Sequence, residues 1–357
     1  MKKRSFQAMF MVAAAVGFSA APARADLVIN SAGAALGFTV TNFATGLPNT
    51  GMPFGQGPFG VTVVGNGSGG TNVIVEDYAS NNFSGNLYIF SNADGQTPAT
   101  ALTTISGFQS FAEGFATLNG VAYGANGSTY GSFNPNTGAF TPLNIPNLPS
   151  PNLGMAADPL SGPNGELITF SNNGGLIAID PVAGTFRTIN NVSGIDGVSV
   201  SPNGQTVWAA VNDAQVVGYD VTTGAVVAGP FSPVSGFFPD GTGVITSNNS
   251  LNGDIVVNDN IGNVYLIDPT TSIITLIGSN AGERGDFTTP DPTNGTLLMD
   301  FSDQIERLAC GTGCAIGSGP GPTTGAVPEP SSMVLAGGLL AGIVGLARRR
   351  KAQGNAE

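Results

Sequence analysis

The sequence predicts an all-β fold assembled from repeated copies of one small unit. Three observations support this prediction: a short motif recurs along the middle of the chain, its copies lie roughly 40 to 54 residues apart, and no helical period of apolar residues runs through that region. Each period holds four short β-rich runs separated by turns of Gly, Asn and Pro. A unit of this size is typical of one four-stranded blade of a β-propeller.

The first half of each unit starts with small and apolar residues and passes through Asn-Gly into a β-rich run. The copies begin at Gly60, Gly114, Gly154, Gly197, Gly243 and Asp286. Six copies predict six blades between residues 58 and 315, with seven blades as the alternative if the N-terminal stretch 26–57 forms one of its own. A β-sandwich or a β-helix is the other fold considered, although the rungs of a β-helix require a shorter and stricter period.

The sixth unit has room for only about three strands. We therefore expect the segment around Leu36–Phe43 to supply the fourth strand and close the ring. Closure of this kind leaves no exposed sheet edge with which another chain could pair.

The second half of the unit is a hairpin loop with the pattern apolar, Asp or Asn, Pro, x, x, Gly. Its copies span residues 133–138, 179–184, 219–224 and 267–272, with small departures from the pattern. The acid or amide side chain caps such a turn, proline presets φ, and glycine supplies a positive φ. These Asp residues are therefore predicted to form turns. The units resemble the Asp-Pro-x-x-Gly repeats of secreted six- and seven-bladed propellers.

The N-terminus has the three parts of a secretory signal peptide. Lys2-Lys3-Arg4 precedes an apolar stretch over residues 8–21, and Ala23-Arg24-Ala25 matches an A-x-A cleavage site. We expect residues 1–25 to direct the chain to the Sec export machinery, with cleavage between Ala25 and Asp26.

The C-terminus carries a second targeting signal, also of three parts. Pro328-Glu329-Pro330 leads into an uncharged apolar run over residues 333–347, and four cations follow at Arg348, Arg349, Arg350 and Lys351. The run is at the short end of what a transmembrane helix needs, and the cations hold the end of the chain at the cytoplasmic leaflet. This segment, residues 327–351, resembles the PEP-CTERM sorting signal of Gram-negative bacteria that produce exopolysaccharide.

The resemblance implies processing by an exosortase, which is a membrane enzyme. It also implies a location at the envelope surface or in the extracellular matrix, with the C-terminal helix held transiently or permanently in the inner membrane. A plain membrane anchor would explain the helix and the cations but not the Pro-Glu-Pro. Residues 316–326, rich in Gly, Pro, Ser and Thr, are predicted to be a flexible linker between the body and this signal.

The body of the chain is strongly acidic. Eight of the 11 Lys and Arg residues lie in the two targeting ends, so residues 26–327 keep only Arg187, Arg284 and Arg307. Two of the 23 acids, Glu329 and Glu357, also fall outside, and the formal charge of the body is 3 − 21 = −18. Such a surface repels nucleic acid, which excludes a nucleic-acid partner, and it either attracts cations or keeps an exported protein soluble.

The numbers of His and Cys residues limit the chemistry that the protein can perform. The chain has no His, which excludes Ser-His-Asp and Cys-His catalysis and His-ligated zinc. Cys310 and Cys314 are the only cysteines, and in an oxidising compartment they are predicted to form a disulfide. A metal or redox pair is the alternative, although two thiols make up only half of a zinc site.

Four acids lie in the loops that lead into the innermost strands of the predicted blades. They are Glu113, Asp196, Asp240 and Asp286. In a propeller these loops open onto one face of the central channel, so the carboxylates should converge around one axis. Clustered carboxylates without a cationic partner raise each other's pKa or bind a divalent cation such as calcium.

Two of these loops resemble the metal-binding loops of gluconolactonase-type propellers: Glu113-Gly114-Phe115 and Pro239-Asp240-Gly241. Phe115 departs from that family's pattern, which has Pro at this place. The resemblance implies a divalent metal that polarises a lactone carbonyl and activates water.

Two functions of different classes follow from these patterns. The first is a non-catalytic surface protein that binds polysaccharide, protein or calcium in the envelope or the extracellular matrix, or that has a structural role there. It is indicated by the sorting signal, the absent His and the lack of a catalytic constellation. The second is a metal-dependent hydrolase or lactonase at the channel, indicated by Glu113 and Asp240. A third hypothesis is that the propeller only displays loops.

Overall fold

The computed structural model describes residues 27–50, 55, 57–78, 84–109, 114–171, 173–232, 236–280 and 283–317. The predicted signal peptide, the sorting segment 327–351 and Glu113 lie outside these residues. Across the described ranges, no helix has the length and apolar character needed to cross a membrane.

Three short elements precede the first blade: β1 (Val28–Ile29), α1 (Ser31–Ala35) and β2 (Thr39–Ala44). The first blade contains β3 (Pro58–Gly65), β4 (Thr71–Asp77), β5 (Ser84–Ser91) and β6 (Thr103–Gln109), with a 3-10 turn at Pro98–Thr100 before its last strand. The second contains β7 (Ala116–Leu118), β8 (Val121–Asn126), β9 (Thr129–Phe133) and β10 (Phe140–Pro142). The third contains β11 (Pro151–Asp158), β12 (Glu166–Ser171), β13 (Gly175–Asp180) and β14 (Thr185–Asn190).

The remaining three blades follow in the same order along the chain. The fourth contains β15 (Ile195–Val200), β16 (Thr206–Val211), β17 (Gln215–Asp220) and β18 (Val226–Phe231). The fifth contains β19 (Pro239–Ser247), β20 (Ile255–Asp259), β21 (Asn263–Asp268) and β22 (Ile273–Ser279). The sixth contains β23 (Gly285–Asp291), β24 (Thr296–Phe301), β25 (Gln304–Ala309) and, from the N-terminal segment, β2; a last short strand is β26 (Cys314–Ile316).

The blades surround one axis. Each blade is an antiparallel sheet whose innermost strand is β3, β7, β11, β15, β19 or β23, and the fifth sheet gains two further pairings, β26 on β19 and β1 on β22. The innermost strands of successive blades contact each other in a closed circuit from β3 through β7, β11, β15, β19 and β23 back to β3. The prediction of an all-β propeller with six four-stranded blades is confirmed, and the seven-blade, sandwich and β-helix alternatives are wrong.

The ring is closed by a strand from the N-terminal side of the chain. β2 pairs antiparallel with β25, from Thr39 opposite Ala309 to Ala44 opposite Ile305, and is the outermost strand of the sixth blade. It occupies the place for which the segment around Leu36–Phe43 was expected. Because the first and last parts of the chain share one sheet, the ring cannot open without breaking this pairing.

Apolar side chains fill the gaps between neighbouring blades. Six buried clusters are formed by the described residues, one in each gap, because both faces of every blade carry apolar side chains. Trp208, on β16, is 6% exposed and lies with Phe231 and Tyr265 in the cluster between the fourth and fifth blades. The only Trp of the chain therefore belongs to the core.

The Asp-Pro-x-x-Gly loops form turns, as predicted. Asp180 Oδ1 accepts hydrogen bonds from the backbone N–H groups of Val182 (2.9 Å) and Ala183 (2.8 Å). Equivalent bonds cap the other three turns through Asn134, Asp220 and Asp268. The turn glycines Gly138, Gly184 and Gly224 have φ between 66° and 70°, and in the fourth copy Ser272 takes this place with φ 61°.

Glycines of the innermost strands set how closely the blades approach one another. A Cβ atom would lie 2.3 Å from the carbonyl oxygen of Asp196 if added at Gly154, 2.2 Å from that of Asp240 if added at Gly197, and 2.6 Å from that of Asp286 if added at Gly241. Each of these glycines thus packs against the backbone of the next blade at the same level along the axis. Gly154 and Gly197 of the repeated motif, and Gly241 two residues before the predicted start of its fifth copy, are therefore packing requirements at the centre of the ring.

Cys310 and Cys314 are joined by a disulfide with Cα atoms 5.6 Å apart. Both lie in the apolar cluster between the fifth and sixth blades. Gly311 and Gly313 between them have φ 85° and 75°, a region that glycine enters without a steric penalty. The bridge thus leads the chain from β25 into β26.

Candidate functional site

Three of the predicted site acids meet at one end of the propeller axis. Asp196, Asp240 and Asp286 are each the second residue of an innermost strand, on β15, β19 and β23. Asp240 and Asp286 are buried, and Asp196 is partly buried. We call this end, with the neighbouring Asp213 and Arg284, the acidic mouth. Glu113, the fourth predicted acid, lies outside the described residues.

Arg284 lies among these acids. Its Nη1 is 3.2 Å from Asp286 Oδ2 and its Nη2 is 3.6 Å from Asp240 Oδ2, while its Nε donates to Asn260 Oδ1 at 2.8 Å. Its guanidinium carbon also lies 5.8 Å from the centre of the Phe59 ring in the first blade. The expectation that the carboxylates converge without a cationic partner is therefore wrong.

Two further acids belong to this environment and were not predicted. Asp213 lies in the turn between β16 and β17, and its carboxylate is hydrogen-bonded to Asp196. Asp300, on β24, is fully buried and close enough to Asp286 for their charges to interact. Turns between the second and third strands of a blade open onto the same face as the starts of the innermost strands. The repeat pattern could therefore have identified Asp213, whereas nothing local marks Asp300.

Burial decides the protonation of these acids. It raises the pKa of Asp196 to about 8, and the charges of Asp286 and Asp213 add to this effect. It raises the pKa of Asp286 to about 6, although the Arg284 guanidinium opposes the change. Burial also raises the pKa of Asp300 well above its usual range. At neutral pH Asp196 is therefore mostly protonated, and burial shifts Asp300 in the same direction, so the acidic mouth is less negative than its number of acids suggests.

The acidic mouth does not fit a resident divalent cation in this arrangement. Asp240 and Asp286 offer the carboxylate oxygens that calcium prefers, but Arg284 already binds both. A divalent cation on these carboxylates would have to displace the guanidinium. Within the described part of the chain, no three or more His, Cys, Asp or Glu side chains form a group that could hold a metal ion.

Behind the acidic mouth, apolar side chains close the channel. The free volume at the axis falls to about 10 Å³ where Val61, Phe115, Met155, Val198 and Phe287 meet. Each of these side chains comes from a different blade. A space of this size holds about one water molecule at most. The two ends of the propeller axis are therefore separate chemical environments.

The opposite end of the axis opens into a cavity of about 340 Å³, which we call the funnel. The innermost strands of all six blades line it, and none of the described residues in its wall is charged. Hydrogen bonds between hydroxyl groups join neighbouring blades in its wall. Thr62 Oγ1 and Thr117 Oγ1 lie 2.8 Å apart, and Thr242 Oγ1 donates to Ser199 Oγ at 2.9 Å. No pattern in the sequence predicted this cavity.

Residues 326–351 match the PEP-CTERM protein-sorting motif. This motif implies an exported protein that is processed by an exosortase and anchored at the envelope. A comparison of the sequence with curated proteins finds no match. The fold and the motif together define the class of this protein: it is an exported six-bladed β-propeller that carries a C-terminal sorting signal.

Solved structures with a similar fold include a gluconolactonase from Xanthomonas campestris, with a TM-score of 0.55 and 13% identity over 80% of this chain and 96% of that chain. They also include a protein of unknown function from Bacteroides thetaiotaomicron, with a TM-score of 0.52 and 11% identity over 76% of each chain. An auxiliary nutrient binding protein from the same organism has a TM-score of 0.49 and 12% identity over 76% of each chain. At these identities the similarity shows the fold alone.

Proposed function

We propose that this protein is a non-catalytic binding module of a Gram-negative cell envelope or of its extracellular polysaccharide matrix. The single observation that carries the proposal is the sorting motif at residues 326–351, which directs the chain to the envelope. The geometry of the acidic mouth favours binding over catalysis. Arg284 engages Asp240 and Asp286, so neither carboxylate is available as a general base or metal ligand without a rearrangement.

Association with the matrix tests this proposal directly. The full chain, produced in an exporting host and purified in detergent, is mixed with polysaccharide isolated from an exopolysaccharide-producing Gram-negative culture and sedimented. We expect the protein to sediment with the polysaccharide and to show no turnover of sugar lactones. An equally acidic, unrelated propeller is the control for trapping. Protein that stays in the supernatant with every polysaccharide tested would contradict the proposal.

A second candidate function is a metal-dependent hydrolase or lactonase at the acidic mouth, with calcium or another divalent cation as its cofactor. The convergence of Asp196, Asp240 and Asp286 favours it, and so does the fold shared with the gluconolactonase. On this hypothesis Glu113 and Asp240 are the principal ligands. Asp240 would have to release Arg284 in order to hold the cation, and a bound cation would supply Lewis acidity towards a lactone carbonyl and water.

Thermal unfolding distinguishes the two candidates. The protein is unfolded with chelator and then with millimolar calcium, magnesium, manganese or zinc. A cation bound only by the folded state stabilises it by about 2.7 kcal/mol at a hundredfold excess over Kd. If the second candidate holds, Glu113→Gln and Asp240→Asn lose the effect and Arg284→Gln strengthens it. No stabilisation by any cation, even in Arg284→Gln, would reject it.

A further inference from the structure

We propose that the funnel binds the end of an uncharged glycan, one or two sugar residues deep. This inference rests on the proposed function and adds the place of binding and the chemical class of the ligand. It concerns the end of the axis that lies opposite the acidic mouth, on the other side of the apolar closure at Phe115 and Met155.

The charge of the funnel selects an uncharged ligand. The body of the chain carries 21 acids and three arginines, yet within the part of the chain that the structure describes no charged side chain lines this cavity. A charged group that entered it would lose hydration without gaining an ionic partner, which weakens its binding. Uronic acids and amino sugars with a free amine are therefore poor ligands, whereas neutral sugars meet no such penalty.

The shape of the funnel selects a chain end. Its volume of about 340 Å³ lies at the lower end of the roughly 300–1,000 Å³ that small-molecule sites occupy. The apolar closure leaves only about 10 Å³ at its floor. A glycan can therefore enter from one side but cannot pass through, so the site accepts a terminus and excludes the middle of a chain.

The hydroxyl groups in the wall supply matching hydrogen bonds. A Ser or Thr hydroxyl has one donor and two acceptor positions, so a hydroxyl that pairs with a neighbour keeps further capacity. Ser199 Oγ accepts from Thr242, which leaves its own hydrogen for a ligand, and the Thr62–Thr117 pair keeps acceptor positions. A ligand with several hydroxyls of its own can use these groups, whereas a hydrocarbon cannot.

Apolar side chains between the hydroxyls complete the match. Val63, Val200, Val244 and Pro290 line the same cavity. A pyranose ring presents C–H groups on its faces and hydroxyls at its edge, which corresponds to this alternation. The described lining of the funnel contains no aromatic ring that could stack on a sugar, and we expect a Kd on the order of 1 mM, equivalent to about −4 kcal/mol.

A competing occupant is the chain's own linker. Gly317, the last described residue, lines the funnel, and the uncharged residues 318–326 follow it. The experiment therefore compares the full chain with a chain that ends at Gly317.

Ligand-detected NMR and calorimetry test the inference. The probes are the neutral trisaccharides of glucose and of N-acetylglucosamine, with the trisaccharides of glucosamine and galacturonic acid as charged counterparts. We expect the full chain to bind a neutral probe at least tenfold more tightly than either charged one. Ser199→Ala and Thr62→Val should each weaken binding about three- to tenfold, the loss that one hydrogen bond predicts. Val200→Phe, which fills the cavity, should abolish it.

Thr104→Val, on the outer strand β6, is the matched control and should bind as the parent does. Unfolding midpoints of all variants identify any that fail to fold. If Val200→Phe does not fold, the conservative variants Ser199→Ala and Thr62→Val still test the inference. The inference is overturned if no neutral probe binds, if the charged probes bind equally, or if the funnel variants bind normally. Binding that appears only in the chain ending at Gly317 would also overturn it, since the linker would then be the occupant.

Failure of the funnel assignment can be distinguished from failure of the proposed function. If the parent chain and the funnel variants sediment equally well with matrix polysaccharide, only the assignment of the funnel as the binding site fails. If the parent chain does not associate with polysaccharide, the function itself fails.

Discussion

Asp196 shows at the scale of one residue how position changes the chemistry of a side chain. The turn residues Asp220 and Asp268 accept hydrogen bonds at the surface, chiefly from the Thr223 backbone N–H at Asp220 and from the Thr271 hydroxyl at Asp268, and these bonds lower their pKa. Asp196 lies among other acids in the acidic mouth, and burial raises its pKa to about 8. The same residue type is therefore ionised in one part of the repeat and protonated at neutral pH in another.

We expect the free energy of unfolding to decrease as the pH rises from about 5 to 8. An unfolded Asp titrates near pH 3.9, so in this interval the folded protein keeps a proton on Asp196 that the unfolded chain has lost. Each such proton changes the free energy of unfolding by up to about 1.4 kcal/mol per pH unit. Urea unfolding at a series of pH values measures the slope.

Asp196→Asn should flatten this pH dependence, because Asn has no proton to lose. Asp220→Asn is the control: the pKa of Asp220 is lowered in the folded protein, so it is already ionised in both states above pH 5. An Asp196→Asn variant with the slope of the parent would contradict the assignment.

Hairpins repeat at the scale of the element, and one copy departs from the others. Three of the four Asp-Pro-x-x-Gly turns have Gly at the position with positive φ, whereas the fourth has Ser272 at φ 61°. Its backbone N–H still donates to Asp268 O at 2.8 Å, so the turn keeps its geometry with a less suitable residue.

We expect Ser272→Gly to raise the free energy of unfolding by about 0.5–1 kcal/mol. The left-handed conformation costs a non-glycine residue about 1–2 kcal/mol, and the greater freedom of Gly in the unfolded chain offsets about 0.5–1 kcal/mol of the gain. Gly184→Ser, at the equivalent turn with open space around its Cα, should destabilise by a similar amount. Opposite shifts of the two urea midpoints check the argument, and a neutral or destabilising Ser272→Gly would refute it.

The innermost strands give a second prediction at this scale. Gly197→Ala would place a Cβ 2.2 Å from the Asp240 carbonyl oxygen, and this contact is between backbones that cannot move independently. We expect a loss of about 1–3 kcal/mol, as for other overpacked sites. Gly65→Ala, at the end of β3 with no atom within 4 Å of the added Cβ, is the matched control and should be nearly neutral. Equal unfolding midpoints for the two variants would contradict the proposed role of the repeated Gly.

At the scale of the whole molecule, Arg307 joins the two ends of the propeller. Arg307 lies on β25 in the last blade. Its Nη1 is 2.6 Å from Asp291 Oδ2, its Nε is 2.7 Å from Asp94 Oδ1, and its Nη2 donates to Asn92 Oδ1 at 2.7 Å. Asn92 and Asp94 belong to the first blade, more than 200 positions away in the chain. Together with the pairing of β2 and β25, this network holds the sixth blade against the first.

Arg307→Met should lower the free energy of unfolding by about 3–5 kcal/mol, because it leaves the fully buried Asp291 without its cation. Arg187→Met is the control. Arg187 pairs with Glu166 inside the third blade, donates to the Val221 carbonyl oxygen of the fourth, and is much more exposed than Arg307, so its loss should cost less, about 1–2 kcal/mol. Denaturant unfolding measures both values. Equal losses would show that ring closure does not depend on Arg307.

The sequence by itself determined the class of fold, the capped turns and the C-terminal sorting signal, and it favoured six blades over seven. These features depend on local chemistry: Asp, Pro and Gly act within one hairpin, and a blade repeats every 40 to 54 residues or so. The sequence also placed Asp196, Asp240 and Asp286 at one end of the axis, because each opens an innermost strand.

Only the tertiary structure decided what surrounds these acids. Arg284 neutralises two of them, Asp300 reaches them from β24, and the funnel forms from single hydroxyls on separate blades. No local pattern marks these contacts, because each joins residues that are distant in the chain and become neighbours only when the ring closes. For the same reason the charge state of the acidic mouth, which depends on burial, could not be obtained from the order of the residues.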